Sequence, residues 1–248
     1  MTEIAPAGLR RTALLGVVFA GLAGAVLSGC GSDPDAGTNG VGKLSASDIQ
    51  NKTRAAARAA RTVRLSGSLA GKGGTYKLDM RLKDGGGAGS VTSKSATFHL
   101  LRIDDELFLK AGADFWGSEG EAKEGDSSEA ADKLDGKYVR VPQGDPAYEQ
   151  LSGFTDMDSL LDSLATLHGA LERGDHRDVS GVKSIEINGD KGGGGTLDVS
   201  LEGKPYPLLL TRAGDAGSLT FTDWDKPLSL KQPPKDDTVD YGKNLPSS

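Results

Sequence analysis

The feature that most constrains this chain is a two-residue alternation of apolar and polar side chains, repeated between turns rich in glycine and aspartate. Tyr76, Leu78, Met80 and Leu82 alternate with Lys77, Asp79, Arg81 and Lys83, and Val63, Leu65, Gly67 and Leu69 alternate with Arg64, Ser66 and Ser68. A period of two sends successive side chains to opposite faces, so each such segment is a half-buried β-strand. Residues 97–103 and 106–110 continue the pattern across an Asp104-Asp105 turn, and 138–141 make a short strand. Segments 182–187, 195–201, 206–211 and 218–224 resume it; Leu197, Val199 and Leu201 alternate there with Asp198, Ser200 and Glu202. Short strands separated by tight turns form antiparallel meanders.

Only two segments switch to helical spacing. The first begins at a cap, Ser45 or Ser47, with Asp48 in its first turn, and repeats Ile49, Thr53, Ala56, Ala60 and Val63. Its narrow, alanine-rich stripe lets a helix lie close against a sheet. The second repeats Phe154, Met157, Leu160, Leu161, Leu164 and Leu167 behind a cap at Thr155. No strand–helix alternation exists, which argues against a doubly wound parallel sheet. The expected fold class is α+β: a strongly curved antiparallel sheet with helices on its concave side.

The first thirty residues carry a separate message. Arg10 and Arg11 precede an apolar run from residue 13 to 26, long enough for a signal-peptide core and short for a membrane span. It ends in Leu27-Ser28-Gly29-Cys30, the pattern of a bacterial lipobox, in which small residues enter the signal peptidase and the thiol accepts a diacylglyceryl group. Cys30 is the sole cysteine, so neither a disulfide framework nor thiol catalysis is available. The expected organisation is a signal peptide over 1–29, a lipidated Cys30 and flexible tether over 30–43, one domain over 44–235, and a tail over 236–248. The expected location is the outer face of the cell membrane, held there by palmitate-type acyl chains.

Charge narrows the partners. Cleavage before Cys30 removes Glu3, Arg10 and Arg11, leaving the mature chain one unit more negative than the −6 of the whole. An acidic balance argues against nucleic acid, which needs a net basic surface, and against adhesion to anionic lipid by charge alone. Glu119, Glu121, Glu124, Asp126, Glu129, Asp132 and Asp135 concentrate the acid in 117–135, read as a long exposed loop with no apolar face.

A search for catalytic chemistry finds little. His99, His168 and His176 lack the helical i, i+4 spacing of a zinc pair and read as surface side chains. The glycines at 192–195 lack the lysine and helix of a phosphate loop, and no serine sits in a nucleophile elbow. The aspartates at 104, 105, 156 and 158 lack the calcium-loop spacing. Neither a metal, a cofactor nor an enzymatic activity is expected. Apolar surface is what the sequence does offer: Leu65, Leu69, Tyr76, Leu78, Met80, Leu82, Leu197, Val199 and Leu201 on one sheet face, with Phe154, Met157, Leu160, Leu161 and Leu164 on a covering helix. Either these fill one another as an ordinary core, or they line a cavity with the helix as its lid.

The lipobox, the Ser-x-x-Asp-Ile-x-x-Lys-Thr helix start at Ser45, the Thr62-Val63-Arg64-Leu65-Ser66-Gly67 strand, and Phe115-Trp116 followed by Gly136-Lys137-Tyr138-Val139 form a pattern. So do Tyr206-Pro207-Leu208, Phe221-x-x-Trp224, Asp225-Lys226-Pro227-Leu228 and Pro233-Pro234. Together they resemble the actinobacterial LppX/LprG-type lipoproteins, which are similar in fold to the LolA carriers. The resemblance covers 44–235 and departs at the acidic stretch. It implies a half-barrel enclosing a hydrophobic cavity, and an acyl lipid or glycolipid as the ligand bound or carried. The alternative is a non-enzymatic adaptor or sensor that contacts an envelope protein partner, with the acidic stretch as the feature to watch.

Overall fold

The computed structural model describes residues 34–71, 74–93, 96–119 and 131–240. Twelve strands form one sheet: β1 (Thr62–Gly71), β2 (Gly74–Lys83), β3 (Gly86–Thr92), β4 (Thr97–Ile103), β5 (Glu106–Ala111), β6 (Tyr138–Val141), β7 (Leu171–Val179), β8 (Val182–Gly189), β9 (Thr196–Ser200), β10 (Pro207–Thr211), β11 (Gly217–Thr222) and β12 (Thr238–Asp240). Their order, β12-β6-β5-β4-β3-β2-β1-β11-β10-β9-β8-β7, is two consecutive meanders joined where β11 returns antiparallel to β1. A sheet of this width curls because the twist of each strand accumulates. β12 and β7 remain as its two edges, so the sheet is curved but unclosed.

Among the described residues four complete helices accompany it, besides a helical turn at 131–134: α1 (Ala46–Arg58), α2 (Ala113–Glu119), α3 (Pro146–Ser152) and α4 (Met157–Leu164). Ser45 caps α1 by accepting from the Asp48 N–H at 3.2 Å, and Ala46, Ile49, Gln50, Thr53 and Ala57 form its buried face. Ala57, rather than the Ala56 expected from the spacing, turns inward. α4 is capped by Asp156, which accepts from the Ser159 N–H at 2.8 Å. Thr155, the expected cap, is instead fully buried: its hydroxyl donates to the Ser152 carbonyl and accepts from Arg102 Nε.

Four further differences from the sequence reading have identifiable causes. β3 lacks an apolar stripe because the sheet needs glycine there; a Cβ on Gly89 would come within 2.6 Å of Met80 Sδ, and one on Gly87 within 2.5 Å of Leu82 Cδ2. β7 is an edge strand with five charged side chains among its nine residues, which leaves no alternation to read and protects the edge from pairing with another chain. Residues 131–134 are helical at the end of the acidic stretch, and Ala131 and Leu134 are buried. The stretch's middle, 120–130, lies outside the described residues. The expected tail enters the sheet, with β12 parallel to β6.

Much of the segment expected to be a flexible tether is docked. Asn39 donates its backbone N–H to the Leu201 carbonyl at 2.8 Å and its amide to the Ser200 carbonyl at 3.0 Å. Val41 is buried in a 3-10 turn, and Arg173 donates to the Gly42 carbonyl at 2.8 Å. Residues 35–43 therefore belong to the domain. Cys30 and the segment before it lie outside the described residues, and among those described no helix is long and apolar enough to cross a membrane.

Candidate functional site

The inner face of the sheet is built row by row from cross-strand neighbours. Leu65 lies opposite Met80, Met80 opposite Gly89, Gly89 opposite Leu100, Leu100 opposite Leu109, and Leu109 opposite Val139. Directly opposed residues share a face, so alternation within each strand becomes a continuous apolar band across six of them. In the second meander Leu219, Leu210, Leu197 and Ile187 make the matching row. All belong to one hydrophobic cluster with Ile49 and Ala57 of α1 and with Met157, Leu161 and Leu164 of α4.

The structure brings together the residues singled out from the sequence. Leu65, Met80, Leu82, Leu197, Val199 and Leu201 are each at most 1% exposed, and Leu78 is buried. Leu69 and Tyr76, opposite each other at the far end of the β1–β2 hairpin, are half-buried and pack against the cluster. On α4, Met157, Leu161 and Leu164 face inward, while Leu160 and the preceding Phe154 are half-buried. These side chains touch one another and the helices, so the face is covered.

Polar contacts hold α4 in place at its margins. The Leu167 N–H donates to Gln50 Oε1 at 2.9 Å across the helix pair. Arg54 and Arg58 both donate to Asp162 Oδ1, at 2.6 and 2.5 Å, and these bonds hold the Asp162 carboxyl below the usual carboxylate range. Asp162 and Arg58 are solvent-exposed, so these ion pairs orient α4 more than they stabilise it. Arg102 closes the chain leading into α4, donating to the Thr155 hydroxyl and carbonyl at 2.9 and 3.0 Å.

One end of the inner face carries an aromatic group that alternation could not reveal. Phe98 and Phe115 lie 5.5 Å apart, and Phe115 meets Trp116 edge-on at 5.1 Å. Trp116 is 5% exposed, and among the described residues its indole Nε1 has no hydrogen-bond partner. Adjacent Phe-Trp in the sequence is a visible signal for such a cluster, but α2, which presents them, has no periodic stripe. Among the described residues no three His, Cys, Asp or Glu side chains converge to hold a metal ion.

A wide, unclosed antiparallel sheet curved around helices that cover its apolar inner face defines the fold class. No protein-family model matches the sequence, and no curated protein does. Among solved structures the fold is similar to that of LprF from Mycobacterium bovis, with a TM-score of 0.50 and 13% sequence identity over 76% of this chain and 96% of that one. A weaker likeness is to the lipoprotein LppX from Mycobacterium tuberculosis: TM-score 0.44, 12% identity, 74% of this chain and 97% of that one. The likeness read from the sequence thus holds at the level of the fold.

Proposed function

We propose that this chain is a non-enzymatic envelope lipoprotein, anchored through Cys30, that binds or carries an acyl lipid or glycolipid between its sheet and α4. The observation that carries this reading is the cover of the inner face. An apolar band spanning the sheet is closed by α1 and an eight-residue α4, and of the two ion pairs on α4 the Arg58–Asp162 pair is solvent-exposed and the Arg54–Asp162 pair half-buried. Displacing α4 would open Leu65, Met80, Leu82, Leu197 and Val199 to an acyl chain. Each methylene transferred from water to that face contributes ~0.8 kcal/mol, so a long chain offsets the lost helix contacts. The N-terminal acyl chains would keep the domain beside the bilayer that supplies its ligand.

Mass spectrometry of organic extracts from natively purified protein tests this. The expected result is a stoichiometric acyl species in the wild type and its loss in Leu160→Asp, whose half-buried position lets the variant fold while placing a charge beside the acyl chain. Full loading of a folded Leu160→Asp protein would remove α4 from the site. A stable wild type with no extractable lipid would make the inner face an ordinary core.

A further inference from the structure

The outer face of the same sheet carries a different arrangement. His99 lies opposite Lys110, and Lys110 opposite Tyr138, so three polar side chains stand in one row across β4, β5 and β6. The irregular segment after β11 crosses beside them as a strap and supplies Ser229, Leu230 and Lys231. Between row and strap lies a cleft of about 450 Å³ with Ala88 and Leu101 among its lining residues. We infer that this cleft binds a phosphate ester, at a site separate from the inner face.

The charge distribution carries the inference. No lining residue is a carboxylate, although the chain holds 35 acidic side chains against 29 basic ones. The acids nearby are engaged elsewhere: Asp79 with Arg64 at 2.7 Å, Asp237 with Lys137 at 2.8 Å, and Glu106 with Arg140 at 2.8 Å and with Gln232. Lys110 also acts on Asp237 electrostatically, but it is Lys137 that bonds to it. Among the described residues neither Lys110 nor Lys231 forms a salt bridge; Lys110 rests over the Tyr138 ring, 5.0 Å from its centroid. Two ammonium groups with no facing carboxylate leave their charge uncompensated, and an anion seated between them compensates it.

The donor set selects the kind of anion. Two ammonium groups, an imidazole and the hydroxyls of Tyr138 and Ser229 line the cleft, and no arginine does. Arginine forks match planar carboxylates, whereas lysines and hydroxyls act as separate point donors suited to a tetrahedral oxyanion. The volume exceeds that of a bare phosphate, and Ala88, Leu101 and Leu230 give the remainder an apolar surface, so the phosphate carries a small organic substituent. A soluble phosphate ester and a phospholipid headgroup share that chemistry.

Calorimetric titration of the full-length lipoprotein in non-ionic detergent micelles tests the site with two probes, glycerol 3-phosphate and micelle-incorporated phosphatidylglycerol. The expected result is saturable binding of at least one probe, weakened about tenfold or more in the Lys110→Ala/Lys231→Ala double variant. Tighter binding of the soluble probe names a free phosphate ester as the source, and tighter binding of the lipid names a headgroup. Binding of neither probe overturns the site. So does an equal loss in a Lys52→Ala/Lys77→Ala control, since those exposed lysines lie elsewhere and would report charge alone.

Discussion

On the inner face Leu65, Met80, Leu100, Leu109 and Val139 meet side chain to side chain, and all are at most 2% exposed. One residue along the same strands, the outer face presents Ser66, Asp79, Ser90, His99 and Lys110, of which Asp79 pairs with Arg64. The outer face does bury apolar groups where the strap crosses: Leu101 and Phe108 are 8% and 5% exposed. That strap is anchored at its end by β12 pairing with β6 and at its start by Asp225. Asp225 accepts from the Arg61 backbone N–H at 2.8 Å, from Lys204 at 2.9 Å and from the Tyr206 hydroxyl at 2.7 Å. Beside it Tyr206 and Trp224 stack with their rings 4.4 Å apart. One face is therefore secured by desolvation spread over many residues, the other by a few directional anchors. A distributed core resists pH and salt, and a few anchors do not.

The largest break in this contrast comes from Phe221→Ala. Phe221 is 1% exposed at the seam where the two meanders join, opposite Leu65, so its loss leaves a cavity that both meanders must share. Urea denaturation should show a destabilisation of about 3–5 kcal/mol, nearly independent of pH between 4 and 8.

Asp225→Ala addresses the outer face and should cost about 1–2 kcal/mol. The Arg61 backbone N–H, then Lys204 and Tyr206, hold the Asp225 carboxyl well below the usual carboxylate range. A depressed folded pKa gives stability that is complete above the unfolded value near 3.9 and is lost as pH falls below it. Hydrogen exchange in 226–237 should rise in the variant at pH 7, and in the wild type only on acidification. Exchange unchanged in the variant would make the aromatic stack, not the carboxylate, the anchor.

Asp198→Asn should have the smallest effect and the opposite sign. Asp198 is 1% exposed opposite Glu186, its Oδ2 has no hydrogen-bond partner among the described residues, and the Arg177 guanidinium bonds Glu186 instead, at 2.6 Å. Burial pushes the Asp198 carboxyl up. The folded state then holds its proton more tightly than the unfolded chain, so stability declines as pH rises from about 4 through the folded pKa. The asparagine removes that penalty and should raise stability on the order of 1 kcal/mol at pH 7, with the gain vanishing near pH 4. A thermal melt series across pH checks both halves.

Much of the inner face was legible because its signal is local. Alternation at Tyr76–Lys83 or Leu197–Leu201 requires no knowledge of the partner strand, since the pleat alone separates the two sets. α1 and α4 were legible for the same reason at a period of 3.6. The segments that escaped are those whose character comes from neighbours: β3, kept to glycine by Met80 and Leu82, and β7, charged because it is an edge. Thr155 reads as a helix cap until Arg102, from a distant strand, takes its hydroxyl.

By itself, then, the sequence determined the antiparallel α+β class, the apolar set on the inner face and the two amphipathic helices, because each follows from the side-chain period within one segment. Only the tertiary structure decided that the two meanders join at β1 and β11, that residues 35–43 dock beside Leu201, and that the C-terminal strand pairs with β6. It also decided that His99, Lys110 and Tyr138 stand in one row facing Lys231. Register and strap path depend on contacts between residues far apart in the chain, and no local period encodes which distant strand a backbone N–H will find.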